Sequence, residues 1–189
     1  MTPRPRAGAF AIVVRMTLAI RPVEASDIPA IACIYAHAVE HGTASFELEP
    51  PDENEMGRRM RELTGNGFPF IVAEVDGVLA GYAYAGPYRA RPAYRLTVED
   101  SVYIALHMQR RGVGRALLGA LIDAAAARNF RQMIAVIGDS PRQAPSVALH
   151  AALGFRRVGI LDNVGFKHGR WLDSLLMQRA LGDGAATPP

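Results

Sequence analysis

The segment from Ser101 to Gly119 constrains this chain most. A strand-forming run over Arg95–Leu106 leads into Gln109-Arg110-Arg111-Gly112-Val113-Gly114. An amphipathic helix follows over Gly112–Arg128, with Val113, Leu117, Leu118, Leu121 and Ile122 at helical spacing. Glycines where a strand turns into a helix let the backbone approach an anion closely. The first free N–H groups of the helix, with the positive end of its dipole, suit a pyrophosphate. Arg110, Arg111 and Arg115 add charge for phosphate oxygens. On this piece alone a second reading stands, a plain helix start with solvated arginines. A Walker A loop is excluded because no Gly-Lys-Ser/Thr follows, and a Rossmann fingerprint fits poorly because the third glycine is missing.

The elements on either side read in a mixed order. Thr17–Arg21 is a short strand. Ser26 is the expected N-cap of a helix carrying Ile28, Ile31, Ile34, Tyr35 and Val39, and Gly42 ends it. Asp52 caps a second, polar helix that fades at Gly65-Asn66-Gly67. Phe70–Val75 and Val78–Ala85 flank Asp76-Gly77, a strong two-residue hairpin signal. Met133–Ile137 is apolar and β-branched, as a central strand would be. Pro145–Leu153 is a short helix stopped by Gly154, and Phe155–Ile160 and Trp171–Arg179 are the last two strands. Hairpins early and a β-α-β-α-β run later predict an α/β (α+β) fold. Its sheet is mixed and largely antiparallel, with helices on both faces.

Charge narrows the choice of partners. The chain has 21 basic and 18 acidic residues and a net charge of +3, which invites a polyanion. Arg4, Arg6 and Arg15 in residues 1–15 account for the whole excess, and the rest balances. Nucleic acid and membrane surface are therefore not expected partners. No run approaches ~18 apolar residues, so no membrane span is expected. The single cysteine, Cys33, rules out an internal disulfide and a multi-cysteine zinc site. Residues 1–15 read as an over-called start or a disordered lead, 16–182 as one domain and 183–189 as a disordered tail.

The pattern Gln109-Arg110-Arg111-Gly112-Val113-Gly114 resembles the acetyl-CoA motif of the GCN5-related N-acetyltransferases. Further segments are similar to the phosphinothricin and methionine sulfoximine N-acetyltransferase group within that superfamily. They are Ala80–Arg91, Thr97-Val98-Glu99, Val102-Tyr103-Ile104, Pro145–His150 and Gly165–Asp173. The resemblance runs from about Ile20 to Arg179. It implies the GNAT fold, with a central sheet of six to seven strands, and acetyl-CoA as co-substrate without a metal. It also implies a homodimer in the cytoplasm. The strand before the loop would splay from its neighbour, so that Val102, Tyr103 and Ile104 offer backbone groups to the pantetheine arm. Arg110, Arg111, Gly112, Val113, Gly114 and Arg115 would hold the pyrophosphate, and Ser146 would lie beside the arm. Glu99 and His150 would be the acid–base residues, and Arg89, with Arg91 in the same loop, would meet a small amino-acid-like acceptor beside Glu99. The group's Asn before the short helix is absent, because Gly138–Ser146 has none and is longer. Gln143 is the candidate replacement.

The chemistry asks for such groups independently. A protonated amine does not attack a thioester, so a carboxylate or imidazole must take its proton. Backbone N–H groups can stabilise the developing oxyanion. Glu99 is the favoured base, with His150 assisting and direct transfer in a ternary complex. The plainer alternatives are a surface Glu99 paired with Arg95 and a satisfied helix histidine at His150. Arg89 and Arg91 suit a carboxylate or phosphinate bidentately, or are solvated loop arginines. His37-Ala38-Val39-Glu40-His41 matches the inverted zinc-protease pattern, but no further ligand follows. Cys33 reads as a buried thiol among apolar helix positions. Two other functions remain open at this point: an acyl-CoA-binding sensor that keeps the fold without catalysis, and an acetyltransferase for a different small amine.

Overall fold

Asp76 and Gly77 both have positive φ, 52° and 81°, the left-handed pair that a two-residue hairpin turn needs. They join β2 (Phe70–Val75) to β3 (Val78–Pro87) in a computed structural model that describes residues 16–188. The expected N-terminal extension, residues 1–15, lies outside the described residues. Around the hairpin the chain forms β1 (Leu18–Pro22), α1 (Ile28–His41), α2 (Glu53–Gly65), β4 (Thr97–Ile104) and α3 (Val113–Ala126). It closes with β5 (Gln132–Gly138), α4 (Ala144–Ala152), β6 (Arg156–Lys167) and β7 (Arg170–Ala180). The seven strands form one sheet in the order β1-β2-β3-β4-β5-β7-β6. Only the β4–β5 pair is parallel, as the α3 crossover between them requires.

Two cores follow from strand alternation. On one face Ile31, Tyr35 and Val39 of α1 and Met56 and Met60 of α2 pack on Phe70, Val72 and Tyr82. On the other, Leu117, Leu118 and Leu121 of α3 and Val147 of α4 pack on Ala83, Val98, Met133 and Ala135. Tyr103 of β4 packs with the first core, and Val102 and Ile104 with the second. Adjacent residues of β4 therefore serve opposite sides of the molecule.

Several expectations are revised. Ser26 does not cap α1. Glu24 and Asp27 form a capping box around a short turn at Ala25–Asp27. Asp27 is drawn into it by Arg21, whose Nη2 lies 2.7 Å from Asp27 Oδ1. Cys33 is exposed rather than buried. It shares a solvent stripe with Ala30, His37 and Glu40, because the helical period turns it away from Tyr35 and Val39. The sixth strand runs on to Lys167 instead of stopping at Ile160, its pairing with β7 surviving two register shifts. Beyond β7, Asp183 lies 3.6 Å from Arg131, and Arg131 also donates to Thr187.

Candidate active site

The β4–β5 ladder is short. It pairs Thr97 with Gln132, Val98 with Met133 and Glu99 with Ile134, and ends there. Both strands continue past that point, so they splay, and β4 presents the backbone of Val102, Tyr103 and Ile104 along a cleft. At its far end Gly112 has φ 84° as the N-cap of α3, a conformation that costs a side-chain-bearing residue ~1–2 kcal/mol. Among the described residues, the backbone N–H groups from Arg110 to Arg115 have no acceptor. Arg110, Arg111 and Arg115 are exposed and make no ion pair there. Orphan donors at a helix start, free cations and an open strand edge fit a pyrophosphate carried on a long amide-bearing arm. α4 flanks this cleft, with Leu149 Cδ2 3.4 Å from where a Cβ on Gly114 would stand.

Glu99 and His150 are not brought together. Glu99 shares the α1/α2 side of β4 with Ser101 and Tyr103, and its cross-strand neighbour on β3 is Gly86, which places no side chain beside it. Glu99 has no ion pair with Arg95, which lies outside β4. Burial, and then the neighbouring Asp100, push its carboxyl above the usual range. His150 is buried on the α3/α4 side. Its Nε2 lies 3.0 Å from Asp100 Oδ2, and its Nδ1 lies 2.7 Å from the Ser146 carbonyl. Burial pulls the imidazole down, but Asp100 and that carbonyl outweigh it, and the net shift is upward.

The rim is built from three loops. Arg89 makes cation–π contacts with Tyr88 and Tyr94, its guanidinium carbon 5.1 and 5.7 Å from the ring centroids. Arg91 is exposed in the same loop. Across the cleft, Thr43 Oγ1 donates to Asp139 at 2.8 Å, and Arg170 pairs with Asp139 as well. Lys167 Nζ donates to Ser45 O at 2.8 Å. Phe46 lodges over Gly138 and Gly165. Gln143 points its amide at Thr43 Oγ1, 3.5 Å away, so it helps fasten this clasp. On the α1/α2 side, Tyr35, Met56, Arg59, Phe70, Tyr82 and Tyr84 line a cavity of about 220 Å³.

Sequence reasoning missed Asp100 and Asp139. Asp100 had a signal. It interrupts the apolar parity of Val98, Val102 and Ile104, and an acid at a core-facing strand position needs a partner. Asp139 had none, since Thr43 and Arg170 are distant in sequence. His37 and His41 stack 4.6 Å apart. Among the described residues, no group of three or more His, Cys, Asp or Glu is placed to hold a metal ion.

Comparison with known proteins gives a consistent set of likenesses. The family model for the acetyltransferase (GNAT) domain matches residues 20–176. A phosphinothricin N-acetyltransferase of Alcaligenes faecalis is 53% identical over 175 residues, covering 93% of this chain and 88% of that protein. An L-methionine sulfoximine/L-methionine sulfone acetyltransferase of Salmonella typhimurium is 39% identical over 171 residues, covering 89% and 98%. A crystal structure of a GNAT superfamily phosphinothricin acetyltransferase from Sinorhizobium meliloti in complex with AcCoA superposes with a TM-score of 0.89. It is 48% identical and covers 92% of this chain and 93% of that one. With its splayed parallel pair, its glycine-led helix start and these likenesses over most of its length, the chain belongs to the GNAT acetyltransferase family.

Proposed function

We propose that this protein transfers the acetyl group of acetyl-CoA to the α-amino group of a small amino-acid-like acceptor, of the kind represented by L-phosphinothricin and methionine sulfoximine or sulfone. The observation that carries the reading is Glu99, half-buried where β4 and β5 part and with no side chain opposite it on Gly86. Acetyl-CoA supplies an activated thioester when bound. The N–H groups and cations of Arg110–Arg115 hold its pyrophosphate, and the open edge at Val102–Ile104 orients its arm. Glu99 accepts the proton of the acceptor amine, and its raised pKa makes it a stronger base than an ordinary carboxylate. Arg89, steadied by its two tyrosines, and Arg91 receive the acceptor's acidic group. Transfer is direct, because Cys33 lies on the outer face of α1 and no other cysteine exists.

The same reading places the protein in the cytoplasm, where acetyl-CoA is made and used, as a homodimer. β6 supports the dimer. It is an edge strand bearing Val158, Ile160, Leu161, Val164 and Phe166, with Trp171 nearby on β7, each between 48% and 61% exposed. A long apolar edge strand left in water is an association hazard, and a second copy covers it. The deciding experiment is acetyl-CoA consumption against a panel of amino acids and their analogues. Turnover with phosphinothricin or the methionine derivatives is expected, and consumption only with protein lysines would overturn the reading.

A further inference from the structure

We propose that Asp100 and His150 form a buried latch that clamps α4 across the splayed strands, so that Asp100 is a positioning residue for the acetyl-CoA cleft and His150 is held as an imidazolium instead of serving as a base. The proposal rests on the acetyl-CoA part of the function above.

Three observations carry it. The first is place. The β4–β5 ladder ends at Glu99↔Ile134, and Asp100 is the next residue. Where backbone ties between the strands stop, a side-chain tie to α4 begins. The side chains involved are 2% and 5% exposed. Through it, the helix that borders the cleft opposite Gly114 is fixed to β4.

The second is hydrogen-bond arithmetic. Both ring nitrogens of His150 face acceptors, Ser146 O at 2.7 Å and Asp100 Oδ2 at 3.0 Å, and the Ser146 hydroxyl, 3.4 Å from Nδ1, stands well behind the carbonyl. A neutral imidazole can donate to only one of them, whereas an imidazolium satisfies both. His150 also sits in the last turn of α4, where the helix dipole favours a cation. The groups around the ring are Asp100 from β4, Ser146 from its own helix and Phe155 in edge contact 5.0 Å away. Asp100 is the only one that carries charge. With both nitrogens protonated, the ring has no lone pair to take a proton from an amine.

The third is the other carboxylate oxygen. Asp100 Oδ1 is buried and has no donor among the described residues. With that oxygen unpartnered, the bond to His150 is the one side-chain bond that offsets the burial of the carboxylate.

Two-bond 1H–15N spectra of the unliganded protein, with the His150 signal assigned by loss in His150→Gln, read the ring directly and need no acceptor. A doubly protonated ring at pH 7 is expected. A neutral tautomer at pH 7 would overturn the proposal. Kinetics provide the second arm. Asp100→Leu should raise KM and Kd for acetyl-CoA about tenfold, with kcat at saturation within about threefold when both proteins are compared at a pH above the Glu99 limb, and Asp100→Asn, which keeps an acceptor, should recover most of the loss. The double variant Asp100→Leu/His150→Leu replaces the buried pair with apolar groups that fold readily, and the same split is expected. A loss of kcat of about a hundredfold in the His150 variants, with acetyl-CoA affinity unchanged, would make His150 catalytic and overturn the latch. Failure of the acceptor panel would leave the spectra and the acetyl-CoA titrations standing.

Discussion

Glu99 lies directly across the β3–β4 ladder from Gly86, so its β3 neighbour sets no side chain of its own against the carboxylate, and Leu63 Cδ2 of α2 stands 3.3 Å from where a Cβ on Gly86 would be. The chain's next carboxylate, Asp100, points through the sheet to the opposite layer. One peptide bond thus separates a carboxylate on the α1/α2 face from one bonded to a histidine of α4.

Glu99→Gln should lower kcat by about a hundredfold, the usual worth of a general base. Acetyl-CoA affinity, measured by calorimetry, should stay within about twofold of the natural protein, because the proposed binding groups are those of Arg110–Arg115 and the open strand edge. Near-normal turnover would remove Glu99 as the base.

The pH profile carries a sign. Burial and Asp100 raise the Glu99 pKa, and the base works only when ionised. Activity should therefore rise with pH along a limb displaced to the alkaline side of the ordinary carboxylate value. The limb in kcat/KM should disappear in Glu99→Gln. A limb at or below the ordinary value would contradict the assignment.

Arg89→Ala should raise the acceptor KM about tenfold, as expected for losing a bidentate charged contact. The acetyl-CoA KM should not move. Arg89→Lys should recover little, since the ammonium lacks the bidentate fork of the guanidinium. Equal effects on both substrates would point to a loop collapse instead.

Asp139→Asn should destabilise the protein by about 1–3 kcal/mol, the worth of hydrogen bonds to a charged group. Arg170, with help from Thr43, holds the Asp139 pKa below its ordinary value. A depressed carboxylate contributes stability above its unfolded pKa and loses it as pH falls through the folded one. The gap in melting temperature between natural protein and variant should therefore shrink on acidification, which calorimetry reads. A constant gap would place the contribution elsewhere.

Val158→Lys/Ile160→Lys should yield monomers of 20.4 kDa by light scattering, where twice that mass is expected of the natural protein. Charges on an exposed edge strand block pairing with another chain. A monomeric natural protein would remove the second copy from the proposal.

The segment that opened the reading was legible because its signals are local. Strand alternation, a glycine pair and a helical stripe over Val113, Leu117 and Leu121 each act within a few residues. The Asp76-Gly77 hairpin and the Asp52 cap, whose carboxylate accepts from Glu55 N at 2.8 Å, were legible for the same reason. Glu99 was singled out through the resemblance that Thr97-Val98-Glu99 carries, not through a local physical signal. Other features depend on phase and partners beyond that range. Cys33 belongs to a run of apolar residues, yet the phase of α1 against the sheet turns it to solvent. The separation of Glu99 on the α1/α2 face from His150 on the α3/α4 side is one that only strand parity and helix placement together produce.

The sequence by itself determined which local elements form and where an anion can meet a helix start, because backbone geometry and side-chain period act over a few residues. Only the tertiary structure decided that β4 parts from β5 just after Glu99, that β6 is left as an apolar edge, and that Asp100 reaches His150 fifty positions along the chain. Those outcomes depend on how whole layers pack, since burying a charge such as Asp100 becomes tolerable only when a distant helix brings the counter-charge to it.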